Sequence, residues 1–291
     1  MMAFECQVVN QASDYRVRTS QVAELFFAVF RRPFPAEVWE QWYLDNPYGD
    51  PCVALTYHAD QLVGHHALVP QTLVGSSGDQ IRYRLSISLM VHPRFRNLTV
   101  FQEMVDSLHR RALEDRVPFI LGFPNARAAP LWEALYRYRP MIQTELCNWM
   151  PRNSLAAKSK RVEGPRDCPG LALYSCPRDK AYWNWRNQNN HARACTVDGD
   201  LEVVYKVIEP ATLMVLDVGA EAGRKDASSL AGFADSLGLS NVRLTRHHAG
   251  LFGIPDAELT PHDNYVVRCF GFPLAGELPR LRLSLLLSDV F

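Results

Sequence analysis

The sequence predicts a mixed α/β fold arranged in two domains. Its 291 residues exceed the roughly 100 to 200 residues that one domain usually holds. Along the first half, segments with helical spacing of apolar residues alternate with strand-like segments, in the order β, α, α, three strands, α, β, α, β. A polar stretch without apolar periodicity follows at 153–168. We therefore expect one domain over 1–152 and a second over 169–291, joined by that linker.

Apolar spacing and turn residues predict each element of the first half. Val22, Leu25 and Phe26 follow the helical period. Prolines at 33 and 35 end that helix before the next one begins. In a longer helix, apolar residues recur every four positions and form one buried stripe. Helices are predicted at 21–32, 35–44, 98–115 and 126–138, and strands at 14–20, 52–57, 62–73, 81–91, 118–123 and 141–150.

The second half repeats part of this order loosely. It starts with the Trp-rich stretch AYWNWRNQ at 181–188. Strands are predicted at 201–208, 213–218, 242–246, 264–272 and 281–287, with a helix at 226–237. Because this order resembles the later half of the first domain, we expect an internal structural duplication.

Charge and cysteine usage narrow the function classes. The 31 basic and 31 acidic side chains cancel, so no broad field attracts nucleic acid or an anionic membrane. No apolar run reaches the roughly 18 to 20 residues that span a bilayer, and we expect a cytoplasmic protein. Seven cysteines without a CxxC pair indicate reduced thiols rather than disulfides. His191 and Cys195 are an isolated pair, so we expect no metal.

The segment 88–104, SLMVHPRFRNLTVFQEM, combines features that suit an anion. A strand is expected to end at Val91, and a turn with Arg94 and Arg96 leads into a helix. Unpaired amides and the positive end of the helix dipole point outward from such a helix N-terminus. A diphosphate fits there. The alternative is an ordinary strand-to-helix connection with surface arginines, whose first turn holds only water.

The segment VHPRFRNLTVF resembles the coenzyme A loop of the GCN5-related N-acetyltransferase (GNAT) superfamily, in which Arg/Gln-x-x-Gly-x-Gly/Ala follows a strand ending in Val-x-Pro. The resemblance implies a GNAT-like, mostly antiparallel mixed sheet flanked by helices, followed by a degenerate second GNAT-like domain. It also implies acetyl-CoA or another acyl-CoA as co-substrate. Thr99 and Phe101 replace both motif glycines, and a Cβ at 99 can block backbone approach to phosphate. The implied cofactor-binding residues here are Leu89, Met90, Val91, Arg94, Arg96, Asn97, Leu98, Thr99, Val100, Phe101 and Gln102.

A second segment, GFPNARAAPLWEALY, is similar to the family pattern Asn-x-x-Ala-x-x-Leu-Tyr. The resemblance implies that Asn125 contacts pantetheine and that Arg127 reaches phosphate, although Asn125 alone reads equally well as a helix cap. Trp132 stands where the family has a tyrosine that protonates the departing sulfur. Tyr136, one turn later, is the nearest replacement acid; packing is the alternative role for this tyrosine.

An attacking ammonium must lose a proton, and histidine accepts one best near pH 7. His65 and His66 lie on opposite faces of one predicted strand, so only one of them can face the site. Water relayed by a hydroxyl of the next strand is an equal alternative. In the second domain, an aromatic and basic group can stack a ring and hold a phosphate, or can anchor a helix to its own core. The predicted substrate-binding residues are Tyr83, Ser86, Ser88, Trp183, Trp185 and Arg186.

Taken with the resemblance, these residues predict an acyl-CoA-dependent N-acyltransferase that acts by direct attack on the thioester. The chain is similar to bacterial two-domain members in surface-polysaccharide biosynthesis, which implies a nucleotide-linked amino sugar as acceptor. Expected partners are therefore acyl-CoA and a small amine, with the oligomeric state open. Two alternatives stay open: a tRNA-dependent aminoacyl transferase of the peptidoglycan-bridge type, and a non-catalytic binding module with the same fold.

Overall fold

The computed structural model divides the chain into two compact units. The first comprises Met1–Thr72, Arg82–Gly122 and Phe272–Leu278, and the second comprises Leu73–Ile81, Phe123–Gly271 and Pro279–Phe291. The structure describes residues 4–75, 77–125, 127–141, 145–151, 159–162, 174–177, 179–188, 192–198, 201–208, 211–219, 227–261 and 269–273.

The first unit is a sheet with helices packed on it. Its strands follow the order β1-β2-β3-β4-β5, and the end of β14 lies beside β5. β1, β2 and β3 pair antiparallel, whereas β4 and β5 pair parallel. The elements are β1 (Glu5–Val9), α1 (Ala12–Arg16), α2 (Thr19–Phe30), α3 (Ala36–Tyr43), β2 (Cys52–His58), β3 (Gln61–Val74), β4 (Gln80–Val91), α4 (Leu98–Glu114), β5 (Phe119–Gly122) and β14 (Cys269–Pro273).

Helix α4 is the predicted long amphipathic helix. Val100, Met104 and Leu108 are fully buried, which confirms the stripe that repeats every four residues. The helix lies very close to β3 at Gly64, where an added Cβ would stand 2.9 Å from the Met104 sulfur and 3.2 Å from a Val100 methyl. A glycine at this point therefore lets the helix approach the sheet that holds the site.

The secondary structure of the N-terminal segment differs from the prediction. Residues 14–20 were predicted as a strand but contain the end of α1 and the start of α2, and β1 was missed. In a strand, Tyr15 and Val17 would share one face. Here Tyr15 is fully buried while Val17 is 77% exposed, because a helix places these two residues on different sides. Tyr15 enters the core from this helix.

The second unit is built on a second sheet. Its strand order is β13-β7-β12-β11-β10-β9-β8, antiparallel except for the parallel pair β11–β12. Strand β6 pairs antiparallel with residues 269–271 of β14. The elements are α5 (Ala129–Tyr136), β6 (Arg139–Met141), β7 (Leu146–Trp149), β8 (Ser159–Val162), α6 (Lys180–Arg186), β9 (Arg193–Val197), β10 (Leu201–Ile208), β11 (Thr212–Val218), α7 (Ala227–Ser236), β12 (Asn241–Thr245), α8 (Arg246–Leu251) and β13 (Leu259–Pro261).

The second unit repeats a feature of the first. In the first, β4, α4 and β5 form a parallel crossover with the helix between its strands. In the second, β11, α7 and β12 do the same, and β10 pairs antiparallel with β11. The buried residues around α7, among them Phe233 and Leu230, form the core on that face of the sheet. This repeat supports the predicted duplication.

The two compact units divide the chain at other residues than the expected domains do. The first unit ends its main body at Gly122 rather than near 152. The predicted strand 141–150 is two strands, of which β7 pairs with β12 and β13. The expected linker 153–168 contains strand β8, and its remaining residues lie outside the described part, as do 264–268 and the predicted strand 281–287.

Candidate functional site

The connection from β4 to α4 has the predicted form. β4 ends at Val91, a 3-10 turn covers Pro93–Phe95, and α4 begins at Leu98. The His92 amide donates to the Val63 carbonyl at 2.8 Å, which ties the end of β4 to β3. Nδ1 of His92 accepts from the Arg94 amide at 3.3 Å. His92 therefore shapes the turn that presents the start of α4.

Asn97 is the N-cap of α4. Its Oδ1 accepts from the Val100 amide at 2.9 Å, and its backbone is extended. The amides of Leu98 and Thr99 precede the hydrogen-bonded turns of the helix, so they are the donors available to a ligand. Asn97, Leu98 and Thr99 are exposed, whereas Val100 is buried and Gln102 is half-buried. The exposed part of the predicted loop is thus its first three residues.

The two residues that replace the family's glycines lie in different environments. Phe101 is 5% exposed and belongs to the buried side of α4 with Met104 and Val105. Its ring is therefore in the core and does not cover the first turn. Thr99 is exposed on the helix surface. Of the two residues that replace the motif glycines, only Thr99 is exposed to a ligand at the first turn of α4.

The charges of three arginines act on His92, and we call Arg31, Arg94 and Arg96 the arginine cluster. The pKa of His92 is lowered, first by desolvation and then by the charges of Arg94, Arg31 and Arg96. Arg96 Nε also donates to the Val91 carbonyl at 3.4 Å. All three are exposed. Sequence reasoning missed Arg31, which follows α2 in a left-handed conformation with φ 57°; nothing in its local sequence signals this position.

Strand β4 extends past the end of its neighbour. Its parallel pairing with β5 stops at Ser86 and Gly122, yet β4 continues to Val91. Ser88 has φ 51°, a left-handed conformation that bends the strand at this point. The predicted pantetheine-binding residues Leu89, Met90 and Val91 follow this bend. Leu89 and Val91 are half-buried, and Met90 is buried.

His65 and His66 lie on opposite faces of β3, as predicted, but both are fully buried. Nδ1 of His65 lies 2.8 Å from the Ser88 carbonyl, and its Nε2 lies 2.9 Å from the Tyr15 hydroxyl. Burial lowers the pKa of His65 to about 4 and that of His66 to about 3. Because His65 uses both nitrogens internally and neither ring meets solvent, the predicted role of general base does not fit either histidine.

The hydroxyl residues of β4 divide between core and site. The Tyr83 ring is buried and stacks on Phe119 at 5.3 Å, so its predicted substrate contact does not fit. Ser86 is half-buried, and its Oγ lies 2.8 Å from Nε2 of His66. Ser88 is half-buried and joins His65 through its carbonyl. Of the predicted relay residues, these two serines keep partial exposure.

Four predicted site residues of the second unit lie in or just before α5. Oδ1 of Asn125 accepts from the amides of Arg127, at 3.1 Å, and Ala128, at 3.0 Å. Asn125 therefore caps the turn before α5, which is the alternative weighed from the sequence. Trp132 is buried, with its ring 4.8 Å from that of Tyr138 and 5.9 Å from that of Tyr136. Arg127 is exposed and Tyr136 half-buried.

The aromatic and basic residues of α6 are core residues. Trp183, Trp185 and Arg186 are 7%, 6% and 7% exposed. Asp179 caps the helix by accepting from the Tyr182 amide at 2.8 Å. Their predicted contact with substrate does not fit this burial, and the alternative of anchoring α6 does. Aromatic side chains supply core and interface alike, so the sequence did not separate the two roles.

Two further features concern the described residues only. They contain no group of three or more His, Cys, Asp or Glu side chains that could hold a metal ion; His191 lies outside them. No helix among them has the length and apolar character to cross a membrane.

Comparisons with known proteins bear on the fold. No protein-family profile and no curated protein sequence matches the chain. Solved structures do: a conserved protein from Enterococcus faecalis, described as a probable N-acyltransferase, shares 12% identity with a TM-score of 0.63 over 94% of this chain and 73% of that one. A tandem GNAT protein from the clavulanic acid biosynthesis pathway shares 11% identity with a TM-score of 0.57, covering 94% of this chain and 100% of that one.

A third similar structure is the Saccharomyces cerevisiae N-myristoyltransferase with bound myristoyl-CoA. It shares 11% identity with a TM-score of 0.56, covering 94% of this chain and 78% of that one. At such identities the likeness concerns architecture. The chain has the fold of a tandem GCN5-related N-acetyltransferase.

Proposed function

We propose that the chain is an acyl-CoA-dependent N-acyltransferase. The observation that supports this most is the β4–α4 connection. It combines an exposed helix N-terminus and the arginine cluster with a strand, β4, that continues past the end of its pairing with β5. Amides and arginines of this kind suit a diphosphate. The β4 residues past Ser86 have backbone groups beyond the reach of β5, which suits an extended pantetheine chain. One of the similar structures holds bound myristoyl-CoA.

In the proposed reaction, coenzyme A lies with its diphosphate at Leu98 and Thr99 and its pantetheine along Leu89–Val91. The acceptor's neutral amine attacks the thioester carbonyl carbon, the carbonyl electron pair moves onto oxygen, and the collapse of this intermediate expels the thiolate. A thiol pKa of about 8.5 makes the thiolate a competent leaving group near neutral pH. After the attack the nitrogen carries an extra proton, which passes to water. The half-buried hydroxyls of Ser86 and Ser88, already predicted from the sequence, are the proposed relay for this proton.

The acceptor that we propose is an amino sugar, nucleotide-linked in the favoured case. This rests on the resemblance seen in the sequence rather than on a described contact. Trp183, Trp185 and Arg186 are buried and do not fit as substrate contacts. They therefore no longer support an amino-sugar acceptor. Thiol release measured with a panel of amines, which includes free and nucleotide-linked amino sugars, will decide the class. Retardation of charged tRNA in a gel would instead favour aminoacyl transfer.

A non-catalytic binding module is the second candidate, since both predicted general bases are buried and both family glycines are replaced. Binding and turnover separate it from an enzyme. Acetyl-CoA that binds without thiol release to any amine of the panel would favour the module.

Calorimetric titration of the full chain with acetyl-CoA is the first test. We expect binding with a dissociation constant in the micromolar range, that is, on the order of −8 kcal/mol, because charged hydrogen bonds and apolar pantetheine contacts combine. Free pantetheine, which lacks the nucleotide phosphates, should bind much more weakly. No detectable heat at millimolar acetyl-CoA would exclude the proposed function.

Two variants of Asn97 separate an effect on stability from an effect on ligand affinity. Asn97→Ala removes the cap and should lower the free energy of unfolding by about 1 kcal/mol. Asn97→Asp keeps the acceptor for the Val100 amide, and its charge stabilises a helix N-terminus. The same charge repels a diphosphate, so we expect about a tenfold weaker affinity for acetyl-CoA without loss of thermal stability. Equal affinity of Asn97→Asp and wild type would place the diphosphate elsewhere.

A further inference from the structure

A buried hydrogen-bond chain ends on the bend of β4. Nδ1 of His65 lies 2.8 Å from the Ser88 carbonyl oxygen. A carbonyl can only accept, so Nδ1 carries the hydrogen and donates it. A neutral imidazole then has an acceptor at Nε2, and the Tyr15 hydroxyl, 2.9 Å away, must be the donor there. The direction of the chain is therefore fixed: Tyr15 to His65 to Ser88.

Aromatic packing holds this chain in one geometry. Tyr15 and His65 are both fully buried. The Tyr15 ring stacks on Tyr43 at 5.3 Å, Tyr43 stacks on Trp39 at 4.2 Å, and Trp39 lies 5.2 Å from His65. Burial raises the pKa of Tyr15 and lowers that of His65 to about 4. At neutral pH both groups therefore stay uncharged, and the chain keeps its direction.

The bond to Ser88 orients the next amide. Ser88 has φ 51°, a backbone conformation that is strained in a residue with a Cβ and that persists only where the surrounding structure holds it. The peptide between Ser88 and Leu89 is planar and trans, so its C=O and N–H point in opposite directions. With the carbonyl held by His65, the Leu89 N–H points away from His65. This amide lies beyond Ser86, where pairing with β5 ends.

We propose that Tyr15 and His65 are positioning residues that aim the Leu89 N–H at the thioester carbonyl oxygen. The proposal rests on the proposed function and deepens it. When the amine attacks, negative charge develops on that oxygen, and a fixed N–H donor stabilises it more than one that must reorient. Neither Tyr15 nor His65 gains or loses a proton in this step. Their effect should appear in turnover, because the diphosphate is held separately at α4.

Variants of His65 separate positioning from proton transfer. His65→Leu removes the donor to Ser88, and we expect kcat to fall about 100-fold, in the range seen when one oxyanion donor is lost. His65→Asn places an amide N–H near the former Nδ1, so it should recover at least tenfold of that loss. KM for acetyl-CoA should change less than threefold in both. The pH profile of kcat should keep its shape, since no proton passes through residue 65.

Tyr15→Phe tests the chain from its other end, and it keeps the ring that packs on Tyr43. We expect kcat to fall several-fold with an unchanged KM. Tyr57→Phe is the matched control, because it removes another tyrosine hydroxyl bond of the same unit, the 3.2 Å contact with Gln21, away from β4. If His65→Leu fails to fold, Tyr15→Phe with this control decides the question.

A direct readout is the Leu89 amide proton in NMR spectra of the wild type. It should shift on adding acetyl-CoA and shift far less with coenzyme A, which has no acyl carbonyl; in Tyr15→Phe this difference should shrink. Absence of acetyl-CoA binding overturns this proposal together with the proposed function. Binding and turnover with unchanged kcat in the folded variants overturn this proposal alone. So do a parallel loss of affinity and kcat, or a pH profile that loses one limb in His65→Asn.

Discussion

Lowering the pH from 7 to 5 is expected to remove about 6 kcal/mol from the free energy of unfolding of the first unit. Three buried histidines are the cause. Burial lowers the pKa of His65 to about 4, that of His66 to about 3 and that of His109 to about 4. In the unfolded chain each titrates near 6.5, so at pH 5 the unfolded state binds more protons and stability falls with pH. Each histidine contributes about 2 kcal/mol at pH 5, and the loss continues until pH reaches the folded values.

Denaturant unfolding at pH 7, 6 and 5 measures this loss, which is comparable with the whole stability of a typical domain. His109→Phe is the informative variant, because the His109 ring stacks on Phe272 at 4.8 Å and a phenyl ring preserves that contact. It should remove about a third of the pH dependence. A free energy of unfolding that stays constant between pH 7 and 5 would show that these histidines bind protons equally in the folded and the unfolded chain.

The sequence predicted the parts of the fold that local pattern determines. The four-residue period of α4 and the β-rich stretches of β2, β3 and β4 appear within a few residues of their expected bounds. These elements also form the β4–α4 connection, so the position of the candidate site followed from local sequence. Apolar periodicity identifies one helix or strand at a time, and that was sufficient to locate the two elements that flank the candidate site.

Features that depend on distant parts of the chain were not predictable in this way. β7 was expected in the first domain, yet its partners are β12 and β13, about a hundred residues later in the chain. The charge of Arg31 acts on His92, which lies 61 residues later in the chain, only because of tertiary folding. Tyr15 stands alone in a polar segment, and its bond to His65 crosses 50 residues. No local pattern encodes such pairings.

Burial explains the remaining errors among the site residues. Histidine, tyrosine and tryptophan occur in cores and in sites, and residue type alone does not separate them. Tyr83 and Trp185 are core residues. His65 is buried as well, but its bond to the strained Ser88 peptide gives it a structural link to the site. The sequence named His65 and His66 together as candidate general bases, and burial makes that role unsuitable for both.

Neutralising the arginine cluster is expected to weaken acetyl-CoA binding about 100-fold. Each exposed arginine near a phosphate contributes on the order of 1 kcal/mol, and the triple variant Arg31→Gln, Arg94→Gln, Arg96→Gln loses about three times that. Arg31 alone should account for part of it, although it precedes the loop by more than sixty residues. Affinity of the wild type should also fall with salt, and the triple variant should lose most of that dependence, because screening acts on exposed charges.

Arg110→Gln is the matched control for Arg31→Gln alone. Arg110 is an exposed arginine of the same helix, twelve residues after Leu98 and so about 18 Å along its axis. It changes the net charge equally and should leave the affinity for acetyl-CoA within twofold of that of the wild type.

Acetyl-pantetheine, which carries no nucleotide phosphates, should bind the triple variant and the wild type alike, since the pantetheine strand is unchanged. If the triple variant binds acetyl-CoA as tightly as Arg110→Gln does, the cluster does not hold the phosphates. In that case the first-turn amides of α4 would have to hold the diphosphate without it.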